Sequence, residues 1–264
     1  MLSVVKWTGS KRSQAKQIAS FFPKNINTYY EPFLGSGALL PYVHAQNFCC
    51  NDLCVPLIKI WCEVKDTPLA LAEEYRLHWE QLQDKGGDYY YQIRERFNQT
   101  KNASDFLFLL RTCVNGLVRF NSNGDFNTSF HFSRKGIHPD KLEQIILKWH
   151  GLVQEMQFVA EDYETVLKSA KVGDFVYLDP PYSHSNMYFG KFDFERFFNT
   201  LRTLNEKNVK YALSLDGMRN DANLMVKVPY DLYTRHEILY SGNSSFNRIL
   251  TMKNVNVYES LYLS

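Results

Sequence analysis

The chain has 264 residues, of which 45% are hydrophobic and 22% charged, with a formal net charge of +2. Those values exclude disordered, collagen-like and low-complexity chains, and the length allows one large globular domain or one domain carrying an insertion. No apolar run approaches the roughly 18 residues of a membrane span, and the opening MLSVVKWTGSKR lacks the basic-then-apolar order of a secretory signal, so a cytoplasmic protein is expected. Five cysteines without a C-x-x-C pair point to reduced core thiols rather than disulfides or a zinc site. Charge is uneven along the chain. Lys6, Lys11, Arg12, Lys16 and Lys24 stand without an acid in residues 1–30, and Arg111, Arg119, Arg134 and Lys135 face Asp125 alone in residues 111–138. Two basic patches on a nearly neutral chain suggest a confined polyanion-binding surface.

The first strand is expected at 28–33, ending in Gly35-Ser36-Gly37, with a helix start at 38–43 and a short strand at 48–50 that runs into Asn51-Asp52. Strand, glycine turn, helix, strand, acid is the opening of a doubly wound α/β sheet. From 54 to 150 the pattern becomes helical, with runs at 68–83 and 89–98 broken by Gly86-Gly87. Near the end of that stretch, Asn123-Gly124 between short alternating segments predicts a tight hairpin over 118–127. Strands resume at 157–159, 175–178 and 211–214, and a closing pair at 236–240 and 248–252 is expected to embrace a loop at 241–247. The predicted organisation is therefore an α/β domain made of residues 1–53 and 151–264, interrupted by a mainly helical insertion at 54–150.

Phe33-Leu34-Gly35-Ser36-Gly37 is a G-x-G turn whose third glycine is missing, since Leu40 stands in its place. Asp52 sharpens it: a carboxylate at the end of the next strand can accept both hydroxyls of an adenosine ribose. An adenosine cofactor without phosphate, S-adenosylmethionine, fits this better than NAD; a merely structural turn is the remaining alternative. The most informative segment is Asp179-Pro180-Pro181-Tyr182, which follows an apolar strand. Ligands of open α/β sheets sit beyond the carboxyl ends of strands, and two prolines stiffen the loop that follows. Asp179 and the Pro180 carbonyl supply two acceptors and Tyr182 an aromatic face, a set that suits an exocyclic amine on a flat base. A Pro-Pro turn capping a strand is the plain alternative.

With both motifs in this order, the chain resembles the DNA adenine methylase (Dam) family, the D12 class of N6-adenine DNA methyltransferases. The resemblance runs from Lys6-Trp7-Thr8-Gly9-Ser10-Lys11 through Glu31 to Gly37, Asp52 and Asn115 to Asn121, to Asp179-Pro180-Pro181-Tyr182 and Leu213-Ser214. It implies a Rossmann-like catalytic domain that binds S-adenosylmethionine, and an inserted target-recognition domain bearing a β-hairpin. It further implies that Trp7, Lys11, Asp52 and Asp179 line the cofactor and active sites, that Phe33, Gly35 and Gly37 belong to the cofactor turn, and that Phe158, Asp162 and Tyr163 lie near the cofactor's adenine ring. Asp179, Pro180, Pro181 and Tyr182 form the implied catalytic set, acting on an adenine rotated out of double-stranded DNA and requiring no metal.

Arg111, Asn115, Arg119, Asn121, Asn123 and Asn127 are candidate DNA contacts on and around the hairpin, and Arg134 and Lys135 candidate phosphate contacts. Asn123 occupies the tip position where GATC-specific relatives can carry a guanine-reading arginine, and Leu213-Ser214-Leu215-Asp216 departs from the Leu-Ser-Asn of many relatives. The closest rivals are N4-cytosine methylation on the same fold and a DNA-binding module with an inactive cofactor fold. A monomer is the default, with a cognate restriction endonuclease as a possible functional partner.

Overall fold

The computed structural model describes residues 1–133, 135–181, 192–219, 222–223, 226–243 and 256–264. Its frame is one sheet whose path runs β3-β2-β1-β4-β5-β8-β7. The strands are β1 (Thr28–Glu31), β2 (Asn47–Asn51), β3 (Met156–Val159), β4 (Phe175–Leu178), β5 (Lys210–Arg219), β7 (Arg235–Asn243) and β8 (Asn256–Leu263), with a two-residue β6 (Ala222–Asn223) pairing off β5. β1 to β5 are parallel to their neighbours, and β8 lies antiparallel between β5 and β7. The doubly wound α/β class read from the sequence is the class observed.

Alternation along each strand explains why the sheet is covered on both faces. Tyr29, Phe175, Tyr177, Ala212 and Leu261 enter one buried cluster. Tyr30, Val176, Leu178, Tyr211, Leu213 and Tyr262 enter the other. Neighbouring residues of one strand thus feed opposite cores, as the two-residue period requires. The second core is closed by α7 (Tyr163–Leu167) and α8 (Phe194–Glu206). α8 starts at Asp193, whose side chain accepts the Arg196 N–H at 3.0 Å, and it buries Phe197, Leu201 and Leu204 on one stripe. Each such burial stabilises by about 1.5–3 kcal/mol.

The first core takes in α1 (Ala15–Ala19) and the five helices that separate β2 from β3: α2 (Val55–Asp66), α3 (Pro68–Lys85), α4 (Gly87–Thr100), α5 (Ala103–Thr112) and α6 (Pro139–Val153). α5 is buried along all of its length, and the Asn102 side chain caps it by accepting from the N–H groups of Ser104 and Asp105 at 2.8 and 3.2 Å. α2 leans on the sheet: Lys65 donates to the Met156 carbonyl at 3.0 Å, and Trp61 packs edge-on against Trp149 of α6 at 5.0 Å.

One expectation needs correction, and another lies outside the described residues. The helix expected at 38–43 is a single 3-10 turn, Leu40–Tyr42, because Val43 is already extended at ψ 137°. The strand expected at 248–252 lies outside the described residues; among the described residues β7 pairs with β8, Tyr240 opposite Tyr258. The loop at 241–247 is described only as far as Asn243.

β1 sits between β2 on one side and β4 on the other, so strand order reverses across the β1–β4 pair. A crevice opens beyond the carboxyl ends of strands at such a reversal. The glycine turn that follows β1 and the Asp-Pro-Pro segment that follows β4 both leave the sheet there.

Candidate active site

Beyond Glu31 the chain turns with Gly35 at φ 50° and Gly37 at φ 61°, angles that disfavour any residue with a Cβ. Space imposes the same choice. A Cβ on Gly35 would fall 2.7 Å from Cδ1 and 2.8 Å from Nε1 of Trp7, and one on Gly37 would fall 3.1 Å from Cζ2 of Trp61. The Trp7 indole therefore lies directly against the turn. Trp61 supports it from α2, donating Nε1–H to the Gly35 carbonyl at 3.2 Å and stacking on Phe158 with 5.8 Å between ring centres.

Asp52 follows β2 and faces the same turn. One carboxylate oxygen accepts the Gly35 N–H and the other the Cys54 N–H, each at 3.0 Å. Burial pushes this carboxyl up to about 6, although both N–H groups favour the ionised form. Each oxygen retains a second lone-pair direction, so the group can hold the turn and still receive a ligand hydroxyl. Asn51, which sequence reasoning missed, ties three strand ends together. Its Nδ2 donates to the carbonyls of Pro32 and Glu161 at 2.9 and 3.0 Å, and its Oδ1 accepts the Glu161 N–H at 2.9 Å. A polar side chain at the last position of a buried parallel strand was the available signal.

The Phe33 ring meets Tyr163 at 5.5 Å, with Phe197 beneath at 6.1 Å. Asp162 caps α7 by accepting the Glu164 N–H at 3.0 Å, and it receives Arg196 Nη2 at 2.8 Å. That guanidinium also lies over the Tyr163 ring at 5.3 Å. Phe33, Asp162 and Tyr163 thus form a second wall beside the glycine turn.

Asp179 stands directly after β4, and Lys11 reaches it from the N-terminal segment. Lys11 Nζ lies 2.6 Å from Oδ1 and 2.8 Å from Oδ2, with the lysine only 3% exposed. Lys11 was expected both in a basic patch and in the site; buried against Asp179, it is not part of an exposed basic surface. Burial pushes the Asp179 carboxyl up to about 6 against the pull of Lys11, and Glu259 and Asp216 push the same way. Below lies Glu31, 2% exposed, receiving the Tyr29 hydroxyl at 3.0 Å. Burial pushes Glu31 up to about 8, with Asp179 and Asp52 adding to the effect, so at neutral pH it holds a proton. Carboxylates are thus gathered around the buried Lys11 ammonium at the ends of β1 and β4, an electrostatic setting that suits N–H donors or positive charge. Pro180 and Pro181 are in place after Asp179, whereas Tyr182 lies outside the described residues.

The other candidates separate into two groups. Asn115, Arg119, Asn121, Asn123, Asn127 and Lys135 are all exposed, and Arg134 lies outside the described residues. Phe120 and Phe126 form an antiparallel bridge, closed by Asn121 N–H to the Asp125 carbonyl at 2.8 Å and Gly124 N–H to the Asn121 carbonyl at 3.0 Å. The hairpin is present, with a three-residue tip rather than the two residues of the tightest turn. Asn121 Oδ1 accepts the N–H groups of Asn123 and Asp125, both at 2.9 Å, so its side chain builds the tip. Asn115 adopts φ 55°, a left-handed angle that asparagine tolerates. Arg111 is corrected: it is 7% exposed and donates to the carbonyls of Ser3 and, at 2.8 Å, Val4, locking the N-terminal segment onto α5 rather than facing outward. Thr8, between Trp7 and Lys11, accepts the Val118 N–H at 3.2 Å and so joins the site to the root of the hairpin.

Residues 7–243 match the family described as D12 class N6 adenine-specific DNA methyltransferase. A type II methyltransferase of Methanocaldococcus jannaschii, M.MjaIII, is 30% identical over 240 residues, covering 80% of this chain and 82% of the relative. The type II methyltransferase M1.LlaDCHI of Lactococcus lactis subsp. cremoris is 28% identical over 253 residues, covering 88% and 86%. A DNA adenine methylase of Vibrio cholerae is 28% identical over 183 residues, covering 68% and 64%. The match over most of its length means that this chain belongs to the D12 class of N6 adenine-specific DNA methyltransferases.

Proposed function

We propose that this chain transfers the methyl group of S-adenosylmethionine to N6 of an adenine extruded from duplex DNA, with Asp179 as the group that receives the amine. The observation that carries this reading is that the Gly35 turn follows β1 and Asp179 follows β4, adjacent parallel strands at the reversal of strand order, where ligands of such sheets bind. The residues present fit the donor: a turn with no room for a Cβ beneath the Trp7 indole, a half-buried carboxylate at Asp52 suited to ribose hydroxyls, and a surplus of carboxylates suited to a cation. When bound, S-adenosylmethionine supplies an electrophilic methyl group on a positively charged sulfur.

The chain's own part is to bind, orient and polarise. Trp7, Asp52, Phe33 and Tyr163 form the cofactor walls, with Phe158 supporting them through Trp61 and Asp162 through Arg196. Asp179 accepts a hydrogen bond from N6, which holds the amine in place and draws its lone pair out of conjugation with the ring. Pro180 and Pro181 keep that acceptor rigid. N6 loses a proton only after it carries the methyl group, and a carboxylate raised to about 6 can hold that proton briefly. Tyr182 is proposed as the stacking partner of the extruded base.

On the DNA side, the exposed residues Arg119, Asn123 and Asn127 of the hairpin are proposed to read bases, with Asn115 and Asn121 shaping it. Lys135 and Arg134 are proposed to meet phosphates. The target-recognition unit is residues 54–150, although α2 and α6 also roof the catalytic sheet. The relatives named type II methyltransferases support a modification role beside a cognate restriction endonuclease.

Asp179→Ala tests the assignment. Single-turnover methylation should fall by at least about a thousandfold, the scale of a lost preorganised contact in the transition state, while equilibrium binding of S-adenosylmethionine and of DNA survives. Near-parental turnover would remove Asp179 from the reaction.

A further inference from the structure

β5 and β8 place Asp216 directly opposite Glu259 in an antiparallel pair. Like charges opposite one another on one sheet face are destabilising. Both carboxylates also raise the Asp179 carboxyl, so the three acids lie close enough to repel one another. A local rule broken at a buried position calls for a compensating group. Lys11 supplies opposite charge here: its Nζ contacts Asp179 at 2.6 Å and has Glu259 Oε2 at 3.5 Å, with the Gly9 carbonyl at 3.4 Å. The backbones approach closely here: a Cβ on Gly217, next to Asp216, would lie 2.4 Å from the Tyr258 carbonyl oxygen beside Glu259.

The resting arrangement poses a chemical problem. Lys11 engages both oxygens of Asp179, and a bidentate ammonium withdraws electron density from the acceptor that N6 requires. Moving the ammonium away would strand a buried charge, which is strongly unfavourable unless a second acceptor takes it. Glu259 is such an acceptor, because an Nζ shift of less than about 1 Å brings it from 3.5 Å to ordinary hydrogen-bond length.

We propose that Glu259 is a positioning residue that draws Lys11 off Asp179 as the target amine arrives, so that Asp179 meets N6 as a full carboxylate. No covalent bond changes in this step; the ammonium moves from one carboxylate toward another, and the N6 hydrogen bond replaces it. The inference rests on the reading of Asp179 as the amine acceptor. It also gives Asp216 a role, since a second negative charge beside Glu259 strengthens the pull on Lys11.

Single-turnover methylation with saturating S-adenosylmethionine and DNA decides it. Glu259→Gln should slow transfer at least about tenfold, while the dissociation constants for both ligands stay within about twofold, a split that a merely structural role would not give. Glu259→Asp, which keeps the charge but pulls it back, should recover part of the rate. In a Lys11→Gln background, Glu259→Gln should cost less than about a further twofold, because the lysine through which it acts is gone. A parental rate in Glu259→Gln, or losses that multiply in the double variant, overturns the proposal. Should Glu259→Gln fail to fold, Glu259→Asp decides alone: a loss of at least about threefold at unchanged ligand affinity is expected, and a parental rate overturns the proposal. Asp179→Asn is assayed in parallel. If it remains active, the reading of Asp179 fails and takes this inference with it; if it is inactive while Glu259→Gln is parental, only the inference fails.

Discussion

Gly35 shows how much one missing methyl group decides. Its left-handed φ of 50° and the 2.7 Å approach of the Trp7 ring to the place of a Cβ mean that Gly35→Ala must displace the indole or the turn. S-adenosylmethionine affinity measured by calorimetry should fall at least about tenfold, a loss of about 1.4 kcal/mol, and unchanged affinity would take Trp7 out of the cofactor wall. Glu31 acts through its proton. Its carboxyl rises from 4.5 in the unfolded chain to about 8 in the folded one, and Asp52 and Asp179 rise from 3.8 to about 6. The folded state binds protons more tightly than the unfolded state, so stability is fullest below the unfolded values and is lost as pH rises through the folded ones. The ligand-free protein should therefore lose melting temperature from about pH 4 to about pH 8, and Glu31→Gln should flatten the part above about pH 7, where Asp52 and Asp179 are already largely ionised. A parental slope in Glu31→Gln would show that Glu31 ionises freely in the folded protein.

At the scale of elements, the hairpin is held largely from outside. Phe120 and Phe126 form one isolated bridge, too little pairing to stand alone in water. α4 and the residue that follows it supply more: Asn98 accepts the Phe126 N–H at 2.8 Å and donates to its carbonyl at 3.2 Å, Tyr90 donates to the Thr128 carbonyl at 2.8 Å, and Lys101, just past the helix, donates to the Gly124 carbonyl at 3.1 Å. The Asn-Gly signal was legible because turn chemistry is local. These supports were not, because they come from residues about 25 to 40 positions earlier. The same contrast explains Arg111, whose neighbours in sequence suggested a basic surface while its partners are the distant carbonyls of Ser3 and Val4. On the proposed division of labour, Lys135→Ala should weaken binding to all duplexes alike and lower the slope of log affinity against log salt by about 1. Asn123→Ala should instead change which sequences are methylated. A sequence-selective loss in Lys135→Ala would move that residue from phosphate to base.

At the scale of the whole molecule, the parallel half of the sheet was readable because each strand is a short apolar run that ends in chemistry: Glu31 to Gly37, Asn51-Asp52, Asp179-Pro180. The antiparallel edge was readable only in part. The run at 236–240 lies within β7, whereas β8, Asn256–Leu263, was not foreseen, and its Glu259 carries no motif. What brings Glu259 to Lys11 is strand order, which places β8 beside β5 and no local pattern encodes. The run of helices between β2 and β3 was likewise visible in the break of the α/β rhythm, whereas the continuity of their core with one sheet face was not, since a single buried cluster joins Tyr29 and Phe175 of the sheet to Tyr90 and Phe97 of α4.

The most direct measurement is the identity of the product. The protein is incubated with methyl-labelled S-adenosylmethionine and mixed-sequence duplex DNA, the DNA is digested to nucleosides, and the labelled nucleoside is identified by mass spectrometry. N6-methyladenine is the expected product, and it should disappear in Asp179→Ala. Label found in N4-methylcytosine, or in no nucleoside at all, would contradict the assignment of this crevice to adenine.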